Sequence, residues 1–504
     1  MGMLDSILYG LSVAINPWNL LFCFVGVFLG TFVGVLPGVG PVATMSILLP
    51  LTFGMRPESA IIMLSGIFYG AQYGGSTTSI LVRVPGEASA AMSCIDGYQM
   101  TLQGRAGPAL GIAAIGSFTA GTLSVVGLMF LASFFSEVAL KFGPQEYFAL
   151  IFFALTFCSS LGVGSRVKAF AMTILGMVLG LVGIDSTSGI YRFTFGLPAL
   201  YDGIGLVPVV MGLFGIGELL LNVEKGSMFA IDKGKIGRVY PSVQDWVASR
   251  WPILRGTLIG FFLGIIPGGG STISTFASYA IEKKLSRHPE RFGHGAIEGV
   301  AGPESANNAA AGGGFVPLLA LGIPPNVVTA FLLGALMIHG IQPGPLLISD
   351  HPEIFWGVIC SMYIGNVLLL ALNLPLIGLW VQVLKVPFNI LFQSIIIFCL
   401  IGVYSTTNSM VDIIIMLLFG IIGYIMNKLD FEPAPLAIGM IMSPLLEGAF
   451  TQSLTLADGR VSIFFTRPVS GIFMIVGCFG LAGYVIKPLL KKAKWSVRHV
   501  DGKF

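Results

Sequence analysis

Charge is what this chain has least of. Only 10% of its 504 residues are Asp, Glu, Lys or Arg, against roughly 25% in soluble domains. The 27 basic and 24 acidic residues nearly cancel to a net charge of +3, and the basic ones are scattered among apolar runs. No nucleic-acid footprint has that form. The six cysteines (Cys23, Cys94, Cys158, Cys360, Cys399, Cys478) are widely separated and form no CxxC pair, so they read as small packing residues. The five histidines show no HExxH or comparable spacing, and no metal centre is expected from them. A GxxxxGK[ST] loop for ATP is missing, as are the GxSxG and paired-Asp motifs of an intramembrane enzyme. No Lys or Arg precedes the first apolar run, so the N-terminus lacks the charged region of a cleaved signal and is read as retained.

What is abundant is apolar. Hydrophobic residues make up 55% of the chain and its mean hydropathy is +0.88, the composition of a polypeptide whose main solvent is lipid. A spanning helix needs about 20 mostly apolar residues, whereas a run of about 10 to 14 suits a re-entrant or broken segment. Both kinds occur. Long runs cover 58–82, 108–135, 146–164, 168–184, 203–223, 354–380, 387–404, 409–427, 433–450 and 469–490. Short ones flank three Pro/Gly breaks, at Pro37–Gly40, Pro267–Gly270 and Pro324–Pro325. The fold class expected is an all-α polytopic membrane protein of about 12 transmembrane helices, with broken or re-entrant half-helices.

Basic residues flank the second break on both sides: Lys225, Lys233, Lys235, Arg238, Arg250 and Arg255 before it, Lys283, Lys284, Arg287 and Arg291 after it. Because Lys and Arg prefer cytoplasmic loops, a hairpin entering and leaving the same face is preferred here to one long kinked span. The organisation read from these signals is a first half, 1–223, with hairpin or broken helices near 20–54 and 72–100. A cytoplasmic polar linker, 224–253, follows. The second half, 254–490, has its hairpin near 254–281 and a broken helix over 303–340, and a basic cytoplasmic tail occupies 491–504.

The halves resemble each other. Gly34-Val35-Leu36-Pro37-Gly38-Val39-Gly40 matches Gly264-Ile265-Ile266-Pro267-Gly268-Gly269-Gly270 at an offset of 230, and Gly75 with Val84-Pro85 matches Gly314 with Ile323-Pro324 at an offset of 239. Each half then reads as a broken apolar pair, a long helix, a Gly-rich polar turn, a short apolar run and a proline. Duplicated, interrupted segments in corresponding places point to the midplane site of a secondary transporter. An inverted relation, which requires an odd number of spans between the repeats, is favoured.

Transport requires oxygen ligands for a cation and donors for an anion. Broken helices offer both, through free N–H groups at helix starts and free carbonyls at helix ends. The expected cation ligands are Gly38, Gly40, Gly268, Gly270, Ser271 and Thr272. Two polar clusters adjoin the breaks, Gln72–Ser79 with Pro85-Gly86-Glu87, and Pro303–Gly314. Hydroxyls and amides crowded into apolar sequence are costly in a bilayer unless they meet partners or solute, although helix packing also uses them. The expected substrate ligands are Ser76, Thr77, Thr78, Arg83, Pro85, Gly86, Ser305, Asn307, Asn308 and Asn326. Arg83 is equally readable as a carboxylate ligand and as an arginine snorkelling from a helix end. Glu447 is read as an ion-pair partner ahead of a cation ligand, and Asp96, Arg105 and Asp185 as loop charges.

These residues, taken in order, resemble the TctA family, the large membrane subunits of tripartite tricarboxylate transporters. The resemblance is carried by Leu36–Gly40, Tyr69–Thr78, Pro85-Gly86-Glu87, Asp96-Gly97-Tyr98, Gln103–Pro108, Pro303-Glu304, Ala306–Gly313, Leu321–Pro324 and His339–Pro345, which span nearly the whole chain. It implies a bacterial inner-membrane subunit working with a small four-helix membrane subunit and a periplasmic solute-binding protein. It also implies ion-driven import of organic anions such as citrate and other tri- or dicarboxylates, and, together with the repeat, an elevator-like motion. Two departures stand beside the expected site: Arg83 where the family usually has Asn, and Pro325-Asn326 where Gly-Ser is common.

A trivalent anion entering a negative cell costs roughly 7 kcal/mol per 100 mV, which cotransported cations must offset. Backbone carbonyls at glycine-rich breaks suit Na⁺, and no intramembrane chain of carboxylates stands out, so Na⁺ is preferred to H⁺ as coupling ion. No other cofactor is expected. The rival reading is a channel without energetic coupling.

Overall fold

The computed structural model describes residues 2–36, 40–161, 165–185, 188–225, 239–383 and 388–482. In the N-terminal part these form α1 (Met3–Ala14), α2 (Pro17–Gly34), α3 (Gly40–Thr52), α4 (Pro57–Val82), α5 (Ser93–Leu102) and α6 (Ala106–Ala139). Next come α7 (Pro144–Leu161), α8 (Arg166–Gly180), α9 (Leu206–Val210) and α10 (Gly217–Lys225), the last two joined by a π-helical turn, Met211–Ile216. The middle holds α11 (Val243–Ile265), α12 (Gly270–Leu285), α13 (Glu298–Leu321), α14 (Val327–Ile338) and α15 (Leu347–Asp350). The chain closes with α16 (Pro352–Asn373), α17 (Ile377–Val383), α18 (Phe388–Thr407), α19 (Met410–Lys428), α20 (Pro433–Leu456), α21 (Ile463–Thr466) and a further apolar helix, Pro468–Ala482. Strand among the described residues is confined to Gly183–Ile184 and Tyr191–Arg192.

Among the described residues, six helical stretches are long and apolar enough to cross a bilayer: Pro17–Gly34, Ala106–Ala139, Leu206–Glu224, Pro352–Asn373, Met410–Lys428 and Pro433–Leu456. Shorter apolar helices include Gly40–Thr52 and Val327–Ile338. Large apolar side chains such as Phe130, Phe262, Ile397 and Phe479 are exposed along these helices, as a lipid solvent allows. The chain is an all-α membrane protein.

Helix starts follow local chemistry. Pro17 and Pro57 open α2 and α4 at positions whose N–H would be unpaired anyway. Ser242 caps α11 through a reciprocal box with Asp245, so the helix begins inside the stretch read as linker. Residues 226–238 and the basic tail lie outside the described residues.

Two compact units emerge, each drawn from two separate parts of the chain: Met1–Leu140 with Gly205–Ile425, and Lys141–Ile204 with Met426–Phe504. In the second unit α8 meets α20 through glycine, Gly176 against the Leu436 carbonyl and Gly439 against that of Thr173. Arg192 grips Glu447 there with two bonds, at 2.5 and 2.9 Å, and lies 3.8 Å from Asp185. Glu447 is thus an ion-pair partner. Because both side chains are about a third exposed, Glu447→Gln is expected to lower stability by less than about 1 kcal/mol, a shift to be read by thermal unfolding.

The first unit holds the interrupted helices. α2 packs along α4 and α11 along α13, and the two contacts share a register. A Cβ placed on Gly26, Gly30 or Gly34 would meet the carbonyl oxygens of Met63, Ile67 and Ala71 at 2.2 to 2.5 Å. On Gly256, Gly260 or Gly264 it would meet those of Gly302, Ala306 and Ala310 at 2.2 to 2.3 Å. Every residue of the second set lies 230 positions (α2 to α11) or 239 positions (α4 to α13) after its counterpart. α11 and α12 lie side by side, joined across by Arg255 and Glu282 at 2.9 and 2.5 Å. Gln72–Ser79 and Pro303–Gly314 are not turns but helix interiors, within α4 and α13, because their small residues let neighbouring backbones approach closely.

Candidate functional site

α4 and α13 are buried almost along their whole length, and their polar residues face one another. Glu304, on α13, is 1% exposed. One of its carboxylate oxygens accepts from the Ser76 hydroxyl on α4, the other from the Ser93 hydroxyl on α5. One turn further along α13, Asn307 donates through Nδ2 to Glu87 at 3.3 Å. Glu87 also accepts from Ser89 and stands at the start of a 3₁₀ turn, Ala88–Ala91, just after the interruption that ends α4. Gln72, one turn before Ser76, donates to Ser271 in the first turn of α12 at 3.0 Å. Three broken segments therefore meet through side chains from both halves.

The breaks also touch each other through backbone. Gly268, at φ +75°, donates its N–H to the Pro325 carbonyl at 2.7 Å. Gly270, at φ +53°, opens α12, with Asn326 as its near neighbour. Asn326 caps α14 by accepting from the Thr329 N–H at 3.0 Å. Gly86 is wedged so tightly that a Cβ would sit 2.2 Å from the Gly34 carbonyl. Gly40 begins α3 at φ +65° with Glu218 nearby, and Gly38 lies outside the described residues.

The other residues expected at the site have partners and places of their own. Thr78 bonds the Gly75 carbonyl of its own helix at 3.0 Å, and Ser305 the Ala301 carbonyl at 2.8 Å. Asn308 reaches Ser117 of α6 at 2.7 Å. Thr77 lines a small cavity with Tyr73, Ser76, Ser117 and Asn373. Thr272 is half-buried with its carbonyl bonded by Thr275, and Pro85 is half-buried in the interruption. Arg83 terminates α4 in the left-handed region, φ +58°, exposed, with its guanidinium 5.9 Å from the centre of the Tyr98 ring. Its counterpart 239 positions later is Gly322, at φ +68°, so both long helices end the same way.

The sequence reading placed Gln72, Tyr73, Glu87 and Glu304 in its polar clusters but not among the expected ligands, and it omitted Ser93. A carboxylate inside an otherwise apolar run is itself a functional signal, and Glu304 carried it. Asp96 proves to be no loop charge. It lies on α5, fully buried, and accepts from the N–H groups of Gly293, Gly295 and Ala296 at 2.8, 2.8 and 2.9 Å and from the Tyr279 hydroxyl at 2.8 Å. Arg105 pairs with Asp245 at 2.5 Å.

Comparison with known proteins agrees with these landmarks. The uncharacterized 52.8 kDa protein in the TAR-I ttuC' 3'region of Agrobacterium vitis is 48% identical over 477 residues, 95% of each chain. An uncharacterized protein in the TAR-II ttuC' 3'region of the same organism is 50% identical over 218 residues, 43% of this chain and 90% of its own. No solved structure matches. The model of the tripartite tricarboxylate transporter TctA family matches residues 20–438, a segment containing every interruption and both polar clusters described above, and the chain belongs to that family.

Proposed function

We propose that this chain is the membrane subunit through which small organic anions, tri- or dicarboxylates, enter the cell by cation-coupled import. The observation that carries the reading is the buried polar seam where interrupted helices meet, Ser76 with Glu304, Asn307 with Glu87, and Gln72 with Ser271. Hydroxyls, amides and unpaired carboxylates deep in lipid-type helices are costly, and a passing solute and its coupling ion give them partners. The equal registers of α2 on α4 and α11 on α13 support two related halves, and we read these as an inverted repeat working as an elevator. About a dozen spans fit the long and short apolar helices together.

The substrate carboxylates meet the donor-rich side, where α12 and α14 begin at Gly270, Ser271 and Asn326. Ser76, Thr77, Thr78, Arg83, Pro85, Gly86, Ser305, Asn307 and Asn308 shape that volume directly or through packing. Family membership supports a small four-helix membrane subunit and a periplasmic solute-binding protein as partners in a bacterial inner membrane. Sodium is the coupling ion in this reading.

Vesicles holding the chain with its membrane partner, supplied with loaded binding protein, test it. An inward Na⁺ gradient is expected to concentrate the anion without ATP, and choline in place of Na⁺ to abolish uptake. Uptake that persists in choline and follows ΔpH, or a solute that only equilibrates, overturns it.

A further inference from the structure

Glu304 is a buried carboxylate and Glu87 a half-buried one beside it, and among the described residues neither has a Lys, Arg or His partner, although other acidic groups do. A buried charge without a counter-charge is strongly unfavourable. The bonds already present do not neutralise it: Ser76, Ser93, Ser89 and the Asn307 amide are all neutral donors.

A second observation says what is missing. Asn307 Oδ1 and Gln72 Oε1 are buried acceptors with no hydrogen-bond partner, on residues 0% and 1% exposed. The orientation of Asn307 is fixed, since only its Nδ2 can face the Glu87 carboxylate. Both orphans lie one helical turn from the Glu304 site, Asn307 after Glu304 on α13 and Gln72 before Ser76 on α4. A proton on Glu304 has an acceptor in the Ser76 hydroxyl, which also lies 3.1 Å from the Gln72 carbonyl, but it leaves both amide oxygens bare. A metal cation answers the charge and the orphans together.

The donor set contains only oxygen, which selects a hard cation. No third His, Cys, Asp or Glu joins it among the described residues, and two carboxylates with two amide oxygens fall short of the roughly 6–8 oxygens that calcium takes, so a monovalent ion is favoured.

Resting on the transport reading above, we propose that Glu304, Glu87, Asn307 Oδ1 and Gln72 Oε1, supported by Ser76 and Ser93, form the sodium site of this subunit. The site spans α4, the interruption after it, α5 and α13, so filling it ties together segments of both halves. It differs from the glycine carbonyls of the breaks, which the sequence had suggested as cation ligands.

The test is binding to the purified full-length chain in detergent, with no anion or partner present. Thermal unfolding in NaCl, KCl, CaCl₂ and choline chloride at matched ionic strength, with ²²Na⁺ binding, gives the readout. Wild type is expected to be stabilised by Na⁺ alone. Glu304→Gln should lose that stabilisation while staying as stable in choline as wild type, its uncompensated charge being gone. Asn307→Ala should weaken sodium affinity at least about tenfold, and it serves if Glu304→Gln does not fold. Equal sodium responses in wild type and both variants overturn the site, as does a response to Ca²⁺ alone or to pH alone. Sodium binding without anion uptake would dismiss the transport reading instead, and sodium-driven uptake with Glu304→Gln binding normally would dismiss only the site.

Discussion

Gly260→Val is expected to leave little or no folded protein. In the wild type α11 lies so close to α13 that a Cβ on Gly260 would stand 2.2 Å from the Ala306 carbonyl oxygen and 2.7 Å from its Cα. These are backbone atoms, which no rotamer change can move aside. The helices would have to separate, and with them Gly256 against Gly302 and Gly264 against Ala310. Overpacking one site costs typically 1–3 kcal/mol. A rigid backbone contact repeated over two neighbouring turns belongs above that range, a large part of the roughly 5–15 kcal/mol that holds a domain folded. Separation would also carry Glu304 away from Ser76 and Ser93. The control is Gly448→Ala, where nothing lies within 4 Å and helix propensity favours alanine by up to about 1 kcal/mol. Gel filtration in detergent and thermal unfolding read both. A monodisperse Gly260→Val protein unfolding at the wild-type temperature would mean that α11 and α13 are not held at this distance.

Much of this arrangement is written locally in the sequence, and what escapes is non-local. The breaks are legible because proline and glycine act on their own neighbours: Pro267–Gly270 ends α11, and Gly268 and Gly270 take positive φ. The offsets of 230 and 239 are legible because they compare sequence with sequence, and the glycine contacts fall on the same two numbers. Reading Gln72–Ser79 and Pro303–Gly314 as turns failed for a physical reason. Glycine and asparagine disfavour helix in water, but in lipid a backbone must bond to itself and small residues let helices touch. Glu304 was visible as a residue yet not as a site, since its meaning comes from Ser76 and Ser93, more than 200 positions away. Asp96 was misread likewise, its partners being Tyr279 and the backbone of Gly293–Ala296.

That misreading makes Asp96 a demanding test of the structure. Asp96→Ala would strand three backbone N–H groups and the Tyr279 hydroxyl, and fill none of the space the carboxylate holds. Hydrogen bonds to a charged group are worth about 1.5–3 kcal/mol each, and buried donors left unpaired cost about 1–3 kcal/mol. Water reaches some of the freed donors, so a net loss of roughly 3 kcal/mol is expected, a hundredfold rise in local opening at 1.4 kcal/mol per tenfold. Arg287 and Arg291 are exposed next to the clamped turn, which makes trypsin a direct reporter: cleavage there should accelerate in proportion to opening. Asp96→Asn keeps an oxygen for the three N–H groups and should recover most of the protection, which a loss of charge alone would not predict. The effect reaches the site because Ser93, one turn before Asp96 on α5, supplies a hydroxyl to Glu304. With the clamp released that donor loses its fixed position, so sodium affinity in Asp96→Ala should fall along with protease resistance, and both should return in Asp96→Asn. Unchanged cleavage in Asp96→Ala would show that this turn is held by something other than the carboxylate, and would sever the connection drawn between it and Glu304.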